Sequence, residues 1–198
     1  MMTTVALCTH NQNKVKELKA LLPDFLVCSY KDVVGCDISV NEDGSTFEEN
    51  AIKKVEAMPL QKDVIYISDD SGLQVEALNG APGIYSARLG GDNITSEQQC
   101  RIILDRLDDH PIRRAQFVCV IALRFPEGAV FTTRGVVYGT ISHQLMGYHG
   151  FGYDPIFIPD GYQQTFSQLG DHVKNRLSHR YLAMCEALEI LKKRLLRV

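Results

Sequence analysis

The sequence has no excess of basic residues. Its 21 lysines and arginines stand against 24 aspartates and glutamates, which gives a formal net charge of −3. Binding to a nucleic-acid backbone requires a basic surface, so this balance argues against a nucleic-acid polymer as partner. A small anionic ligand is still compatible with the composition, because a local site can be basic on an acidic protein.

Other patterns are also absent. None of the six cysteines forms a Cys-x-x-Cys pair, which disfavours a zinc finger or a redox dithiol, and their wide spacing is typical of reduced core thiols in a cytoplasmic protein. No stretch approaches about 18 apolar residues, so no membrane span is predicted. Residues 1–11 lack a basic region and have only a short apolar run, so we expect no signal peptide.

The composition that remains is that of a folded globular protein. Hydrophobic residues make up 45% and charged residues 23% of the 198 residues. A chain of this length buries enough surface for a sizeable core. We therefore expect a single domain over residues 1–198, with room for two lobes.

The spacing of apolar residues predicts alternating strands and helices. Strands are expected over residues 4–8, 26–30, 64–68, 73–78, 114–125, 130–142 and 155–158, and helices over residues 11–22, 46–58, 95–107 and 178–196. Thr46 and Glu49 form a capping-box pattern at the start of the second helix. The apolar face predicted for the last helix comprises Leu182, Cys185, Leu188, Leu191 and Leu195. Alternation with one inserted hairpin indicates an α/β fold with a mixed sheet.

The first segment that suggests chemistry is Thr9-His10-Asn11-Gln12-Asn13-Lys14, where a strand ends and a helix begins. A helix N-terminus offers free N–H groups and a partial positive charge to a phosphate, and Lys14 adds a full charge. The plainer interpretation is capping by Asn11 with a solvated Lys14, and the segment alone favours it.

The second segment is Asp69-Asp70-Ser71-Gly72, which interrupts a predicted strand. Carboxylates beside an apolar strand cost desolvation unless cations or hydrogen bonds hold them. Hard oxygen ligands suit Mg²⁺ together with substrate phosphates, and one carboxylate could instead orient or deprotonate a water. A simple turn at Gly72 explains the segment equally well.

Two later segments have similar alternatives. In Gly150-Phe151-Gly152-Tyr153-Asp154-Pro155, glycines would let a flat ligand approach, Phe151 could stack on a base, and Asp154 could accept from a ring N–H. The alternative is a tight turn before a strand.

Lys174 and the segment Ser178-His179-Arg180 would bring basic donors to a helix start, whereas plain capping by Ser178 is the alternative. Lys53 and Lys54 fit a solvated helix face.

Considered together, the segments are the parts of a nucleoside triphosphate hydrolase. The sequence has no G-x-x-x-x-G-K-[ST] motif, so it is not a P-loop enzyme. Two rivals are a phosphotransferase with Asp69 as covalent nucleophile, which lacks the usual D-x-D spacing, and a catalytically silent nucleotide-binding protein.

Six motifs in order also resemble a known family, the inosine/xanthosine triphosphate pyrophosphatases. They are Thr9-His10-Asn11-x-x-Lys14, Thr46-Phe47-x-Glu49-Asn50-Ala51, Asp69-Asp70-Ser71-Gly72-Leu73, Gly80-Ala81-Pro82-Gly83-Ile84-Tyr85-Ser86-Ala87-Arg88, Gly150-Phe151-Gly152-Tyr153-Asp154-Pro155 and Ser178-His179-Arg180. The resemblance covers almost the whole chain. It implies a central mixed β-sheet flanked by helices, a cleft between two lobes, a homodimer, and Mg²⁺-dependent hydrolysis of ITP, dITP and XTP to the monophosphate and pyrophosphate.

The resemblance also implies roles for individual residues. Asp70 matches the general base, with Lys14 and Lys174 stabilising phosphate charge, and the candidate metal ligands are Asp70, Glu42 and Asp69. The matching substrate contacts are Thr9, His10, Asn11, Gln12, Asn13, Lys14, Ser71, Phe151, Gly152, Tyr153, Asp154, Lys174, His179 and Arg180. We expect Arg180 to donate to the purine carbonyl while Phe151 packs against the ring.

The chain departs from the family pattern at two positions. His10 follows Thr9 where the family usually has glycine, and this residue would narrow the phosphate loop or add a donor. Asn41-Glu42 replaces a frequent pair of glutamates, so only Glu42 can serve as the ligand from that pair.

Overall fold

The computed structural model describes residues 3–91 and 93–195. The strands are β1 (Thr4–Leu7), β2 (Leu26–Ser29), β3 (Val64–Val75), β4 (Arg114–Arg124), β5 (Val130–Ile141) and β6 (Phe157–Pro159). The α-helices are α1 (Gln12–Leu21), α2 (Tyr30–Val34), α3 (Phe47–Glu56), α4 (Ser96–Leu107), α5 (Phe166–Leu177) and α6 (His179–Leu195). Short 3-10 helices cover Glu76–Leu78, Gly83–Arg88 and Asp154–Ile156.

The six strands form one sheet in the order β2-β1-β3-β4-β5-β6. β1 pairs in parallel with β2, opposing Thr4 to Leu26, and with β3, opposing Thr4 to Val64. β5 and β6 pair antiparallel, with Gly139 opposite Pro159. The sheet is therefore mixed and flanked by helices, which confirms the predicted α/β class.

The chain groups into two compact units, and each is made of separate stretches of sequence. The first unit comprises residues 1–70, 119–135 and 180–198, and the second comprises residues 71–118 and 136–179. The first has an apolar core that includes Val5, Ile67 and Leu191. The second has a core of its own that includes Phe117 and Phe157. Within the described residues, no helix has the length and apolar character needed to cross a membrane.

β3 runs without interruption from Val64 to Val75, so the predicted break at Asp69-Asp70-Ser71-Gly72 is wrong. Gly72 does not turn the chain. A Cβ atom at Gly72 would lie 2.3 Å from the carbonyl oxygen of Gly83 and 2.4 Å from Oγ of Ser86. Gly72 therefore allows a 3-10 helix to lie directly against the strand, which any side chain would prevent.

The helices differ from the prediction in three ways. α2 and α5 were not expected, and α5 is kinked at Gly170. On α6, Leu182 is exposed, and the most deeply buried residues are Ala183, Met184, Ala187 and Leu191. The predicted face is therefore confirmed for Leu188, Leu191 and Leu195, which pack in or against the core, and wrong for Leu182. Leu196, the predicted end of this helix, lies outside the described residues.

Candidate active site

The segment after β1 forms a capped helix start. Oδ1 of Asn11 accepts hydrogen bonds from the backbone N–H groups of Asn13 at 3.0 Å and Lys14 at 3.3 Å, and Oγ1 of Thr9 accepts from the Asn11 N–H at 3.2 Å. Asn11 therefore has the capping role of the plainer interpretation. Gln12 and Asn13 are exposed in the first turn of α1, and Lys14 is half-buried.

His10 has contacts of its own beside this helix start. Its Nε2 atom lies 3.2 Å from the hydroxyl of Tyr30 and 3.5 Å from Oδ1 of Asp37. The Tyr30 hydroxyl also donates to Asp37, and Lys31 pairs with the same carboxylate at 2.8 Å. His10 thus connects the loop after β1 to α2 and to the segment that follows α2.

Asp69 is fully buried and lies among cations. Its Oδ2 is 3.0 Å from Nζ of Lys14 and accepts from Nε and Nη2 of Arg180 at 3.2 and 3.0 Å. The thiol of Cys119 lies 4.0 Å from the same oxygen. Burial alone would raise the pKa of Asp69, but Lys14, Arg180 and Lys54 outweigh it and hold the pKa well below 3.8. Asp69 is therefore ionised.

Arg180 connects this carboxylate to α1. Its guanidinium is 1% exposed, and Nη1 donates to Glu17, which lies one turn after Lys14 on the same helix. Burial would lower the pKa of Arg180, but the acids and the Cys119 thiol beside it raise it. The structure thus aims this guanidinium at Asp69 and Glu17. Its expected contact with a purine carbonyl stays a prediction.

Asp70 has a different environment, although it is the next residue. Its carboxylate accepts from Nδ2 of Asn50 at 3.2 Å and from Nζ of Lys54 at 3.3 Å. Burial raises the pKa of Asp70 above 3.8, and the cations of Lys54 and Lys14 only partly oppose this effect. Because successive side chains of a strand point to opposite faces, the carboxylates of the two adjacent acids have different hydrogen-bond partners.

Lys54 is a candidate site residue that the sequence reasoning missed. The prediction of a solvated face is wrong for it, because Lys54 is 9% exposed and its Nζ lies 2.8 Å from Oε2 of Glu42. Lys53 does match the prediction, since it is half-exposed and pairs with the exposed Asp43. The local sequence does not distinguish these two adjacent lysines. They differ in the acids they meet, which are the exposed Asp43 for Lys53 and Glu42 and Asp70 for Lys54.

The chemistry of Glu42 and Asp70 fits a magnesium ion. Within the described residues there is no group of three or more His, Cys, Asp or Glu side chains arranged to hold a metal. Mg²⁺ usually keeps several waters and binds one or two carboxylates together with substrate phosphates, so a pair of acids is enough. The ammonium of Lys54 already bonds to one oxygen of each, which shows that both acids can face one cation. Asp69 fits less well, because Lys14 and Arg180 already bind its Oδ2.

In the second unit, Phe151, Asp154 and Lys174 form one cluster. Oδ2 of Asp154 accepts from the backbone N–H of Phe151 at 2.8 Å and from Nζ of Lys174 at 2.6 Å. That ammonium lies 4.2 Å from the centre of the Phe151 ring, a cation–π contact. Gly150 has a φ of +80°, and a Cβ there would lie 2.2 Å from the same Oδ2. Lys174 therefore contacts the candidate base-binding residues Phe151 and Asp154, and its expected role in stabilising phosphate charge stays a prediction.

The remaining candidates of the second unit have contacts of their own. The Tyr153 hydroxyl donates to the carbonyl of Ser86 at 2.7 Å, and burial raises the pKa of that hydroxyl. The ring of His179 stacks on Phe117, with centroids 4.7 Å apart. The thiol of Cys100 donates to the carbonyl of Gly152 at 3.4 Å. Ser71 is half-buried on β3, directly after Asp70.

Comparisons with known proteins extend over nearly the whole chain. A family model described as the Ham1 family matches residues 5–190. A dITP/XTP pyrophosphatase of Desulforamulus reducens is 43% identical over 195 residues, which cover 96% of each protein. One from Staphylococcus aureus is 42% identical over 179 residues, covering 90% of this chain and 91% of the relative. The solved structure of the Staphylococcus aureus Ham1 protein has 40% identity and a TM-score of 0.87, and covers 96% of this chain and 99% of that one.

Proposed function

Because the chain belongs to the Ham1 family, we propose that it hydrolyses deaminated purine nucleoside triphosphates, namely ITP, dITP and XTP, to the monophosphate and pyrophosphate. The relatives named dITP/XTP pyrophosphatase support this substrate class. The single observation in the structure that carries the proposal is the pair of adjacent acids on β3. One is held ionised among cations, and the other is buried beside a lysine and a second acid.

The proposed reaction is attack of water on the α-phosphorus in line with the leaving group. A bond forms between the water oxygen and the α-phosphorus, and the bond to the bridging oxygen of the β-phosphate breaks, so pyrophosphate leaves. Asp70 orients the water and accepts its proton, and Asn50 and Lys54 hold its carboxylate in place. Lys14 lies in the first turn of α1 and stabilises the charge that develops on the phosphates.

A magnesium ion is the proposed cofactor, with Asp70 and Glu42 as its protein ligands. When bound, such an ion neutralises the phosphate oxygens and makes pyrophosphate a better leaving group. EDTA should abolish hydrolysis and Mg²⁺ should restore it, while circular dichroism stays unchanged. Loss of secondary structure on chelation would point instead to a structural metal.

The residues of the second unit are proposed to bind the base. Phe151 offers a ring for stacking, and Asp154 and Lys174 offer a fixed acceptor and donor beside it. Hypoxanthine and xanthine carry a carbonyl at C6 where adenine carries an amino group. A hydrogen-bond donor that faces this position pairs with the C6 carbonyl of hypoxanthine or xanthine. With adenine, the same donor would face an amino group that is also a donor, which costs about 1–3 kcal/mol of binding free energy.

The deciding experiment identifies the products. The protein is incubated with Mg²⁺ and ITP, dITP, XTP, GTP or ATP in turn, and the products are separated by chromatography. We expect IMP and pyrophosphate from ITP, and much slower turnover of ATP. IDP and orthophosphate as primary products would overturn the proposal and favour a phosphotransferase. Binding of ITP without turnover would favour a silent nucleotide-binding protein.

Three further expectations belong to the proposal. The chain is expected to act in the cytoplasm, and its six unpaired thiols support a reducing compartment. It is expected to fold as one domain over residues 1–198 and to form a homodimer. Light scattering coupled to size-exclusion chromatography tests the dimer, which would be contradicted by a mass near 22.2 kDa.

A further inference from the structure

The ammonium of Lys54 lies between the two carboxylates that the proposed function assigns to magnesium. Its Nζ is 2.8 Å from Oε2 of Glu42 and 3.3 Å from Oδ1 of Asp70. It also donates to the backbone carbonyl of Asp69 at 3.0 Å. An ammonium has three N–H donors, so these three oxygens satisfy all of them. A side chain of this chain therefore holds the same oxygens that a metal ion would need.

The backbone around Lys54 is fixed by buried contacts. The Ser68 hydroxyl donates to the carbonyl of Ala51 at 2.6 Å, which ties α3 to β3. Asn50 bonds to Asp70 and also accepts from the Gly44 N–H at 2.8 Å, which ties both elements to the segment after Glu42. Asp70 and the helix are thus held by contacts that do not involve Lys54. The flexible part is the lysine side chain, which has four rotatable bonds.

From this geometry we propose that Lys54 is an internal competitor of the divalent cation. In the nucleotide-free protein its ammonium holds Glu42 and Asp70, and a metal ion binds there only when the ammonium moves away. Free metal would therefore bind weakly, and tight binding would require the additional ligands of a triphosphate. This inference rests on the metal ligands assigned under the proposed function. It adds that the metal binds tightly only together with the nucleotide.

Two cations near the same carboxylate oxygens repel each other, and this repulsion is the physical basis of the competition. Four acids and three basic side chains lie together in the first unit. The acids are Glu17, Glu42, Asp69 and Asp70, and the bases are Lys14, Lys54 and Arg180. A divalent ion added alone would bring the positive charges of this group into excess over the four negative ones. A metal that arrives with a triphosphate brings negative charge with it and avoids that imbalance.

Binding of Mn²⁺ to the nucleotide-free protein tests the proposal directly. Free Mn²⁺ is followed by electron paramagnetic resonance at pH 8. We expect Lys54→Gln to bind Mn²⁺ at least about tenfold more tightly than the wild type, because a neutral amide replaces the competing charge. Lys53→Gln is the matched control. It removes the adjacent lysine, which pairs with the exposed Asp43, and should leave the affinity unchanged.

The gain should depend on the acid that Lys54 holds. Adding Glu42→Gln to Lys54→Gln should abolish the gain. An affinity of Lys54→Gln equal to or below that of the wild type would overturn the proposal. A gain that persists without the Glu42 carboxylate would do the same, because the competition would then occur elsewhere.

A second measurement uses the unaltered protein, so it does not depend on how a variant folds. Lysines are acetylated with acetic anhydride, with and without saturating Mn²⁺, and the sites are quantified by mass spectrometry. We expect Mn²⁺ to increase acetylation of Lys54 severalfold relative to Lys53. An unchanged ratio at saturation would contradict displacement of the ammonium. Neither measurement requires turnover, so failure of the proposed hydrolysis and failure of this inference are separate outcomes.

Discussion

The charged clusters of the two units are built differently. In the first unit, Asp69 is shared by Lys14 and Arg180, and Arg180 is shared in turn with Glu17. In the second unit, Asp154 and Lys174 form a close pair at 2.6 Å against the ring of Phe151. A shared carboxylate keeps a cation when one partner is removed. Removing one member of a close buried pair takes away a short charge-assisted contact, so the two units should respond differently to the loss of a charge.

The largest effect is expected from Lys174→Met, on stability. This change leaves the buried Asp154 without its ammonium, and breaking a buried pair in this way typically costs about 3–5 kcal/mol. Urea unfolding at pH 7 measures the loss. Lys53→Met is the matched control and should cost less than about 1 kcal/mol, because its pair is exposed. Equal losses for the two variants would contradict the expected cost of breaking the buried pair, whereas recovery of stability on adding Asp154→Asn would support it.

Asp70→Asn should have the next largest effect, on turnover. Loss of a general base typically reduces the rate by about 10²-fold or more. The reduction should apply to every nucleotide, because Asp70 belongs to the cluster of the first unit rather than to the base contacts. Steady-state kinetics with ITP measures it, and circular dichroism checks the fold. Turnover within about threefold of the wild type would exclude Asp70 as the base.

Arg180→Ala should reduce kcat/KM for ITP by about ten- to a hundredfold. Two roles predict different behaviour with ATP. A donor to the purine carbonyl would lower the ITP-to-ATP ratio, whereas a guanidinium that holds Asp69 and Glu17 would reduce both substrates by the same factor. Measuring kcat/KM for both nucleotides separates the roles. A ratio that holds would assign Arg180 to the cluster of the first unit alone.

The smallest effect is that of Asp70→Asn on stability, and it has the opposite sign to that of Asp69→Asn. The pKa of Asp69 is lowered on folding, so its ionised form stabilises the protein above pH 3.8, and this contribution is lost as the pH falls through the folded pKa. The pKa of Asp70 is raised, so its contribution is present below pH 3.8 and is lost as the pH rises through the folded pKa.

At pH 7 without metal, Asp69→Asn should therefore lower the urea midpoint, and Asp70→Asn should raise it slightly. The second difference should shrink as the pH is lowered towards 3.8. Shifts of the same sign for both variants would contradict the assignment of the two acids to separate environments.

Local patterns predicted the parts of the fold that local physics determines. The mixed sheet followed from alternating apolar periods, and Asn11 and Thr46 cap their helices as their sequences suggest. At the second cap, the carboxylate of Glu49 accepts from the Ser45 N–H at 2.6 Å, one residue before the predicted position. α2 was missed because it has only five residues, and α5 because a kink at Gly170 breaks its periodicity.

The site depended on contacts between distant parts of the sequence. Two adjacent acids predict a break in a strand unless nearby cations compensate their charge. One of these cations, Arg180, lies 111 positions after Asp69 in the sequence, so no local pattern shows it. Lys54 is buried because Glu42 and Asp70 face it, and no spacing within its helix contains that information. The chemical nature of the candidate residues could thus be predicted from the sequence, whereas their pairing could not.

The opposite orientation of Asp69 and Asp70 makes the length of β3 as important as its composition. An insertion of one residue into β3 before this pair would leave the motif intact but turn the side chain of each acid to the opposite face of the sheet. Asp69 would then occupy the position of Asp70, and Asp70 that of Ser71. Gly72 would also leave the position at which a Cβ would lie 2.3 Å from the carbonyl oxygen of Gly83, and a residue with a side chain would take its place. We therefore expect β3 to tolerate many substitutions of its apolar residues during evolution. We expect it to tolerate no insertion or deletion in the part of the strand before Gly72.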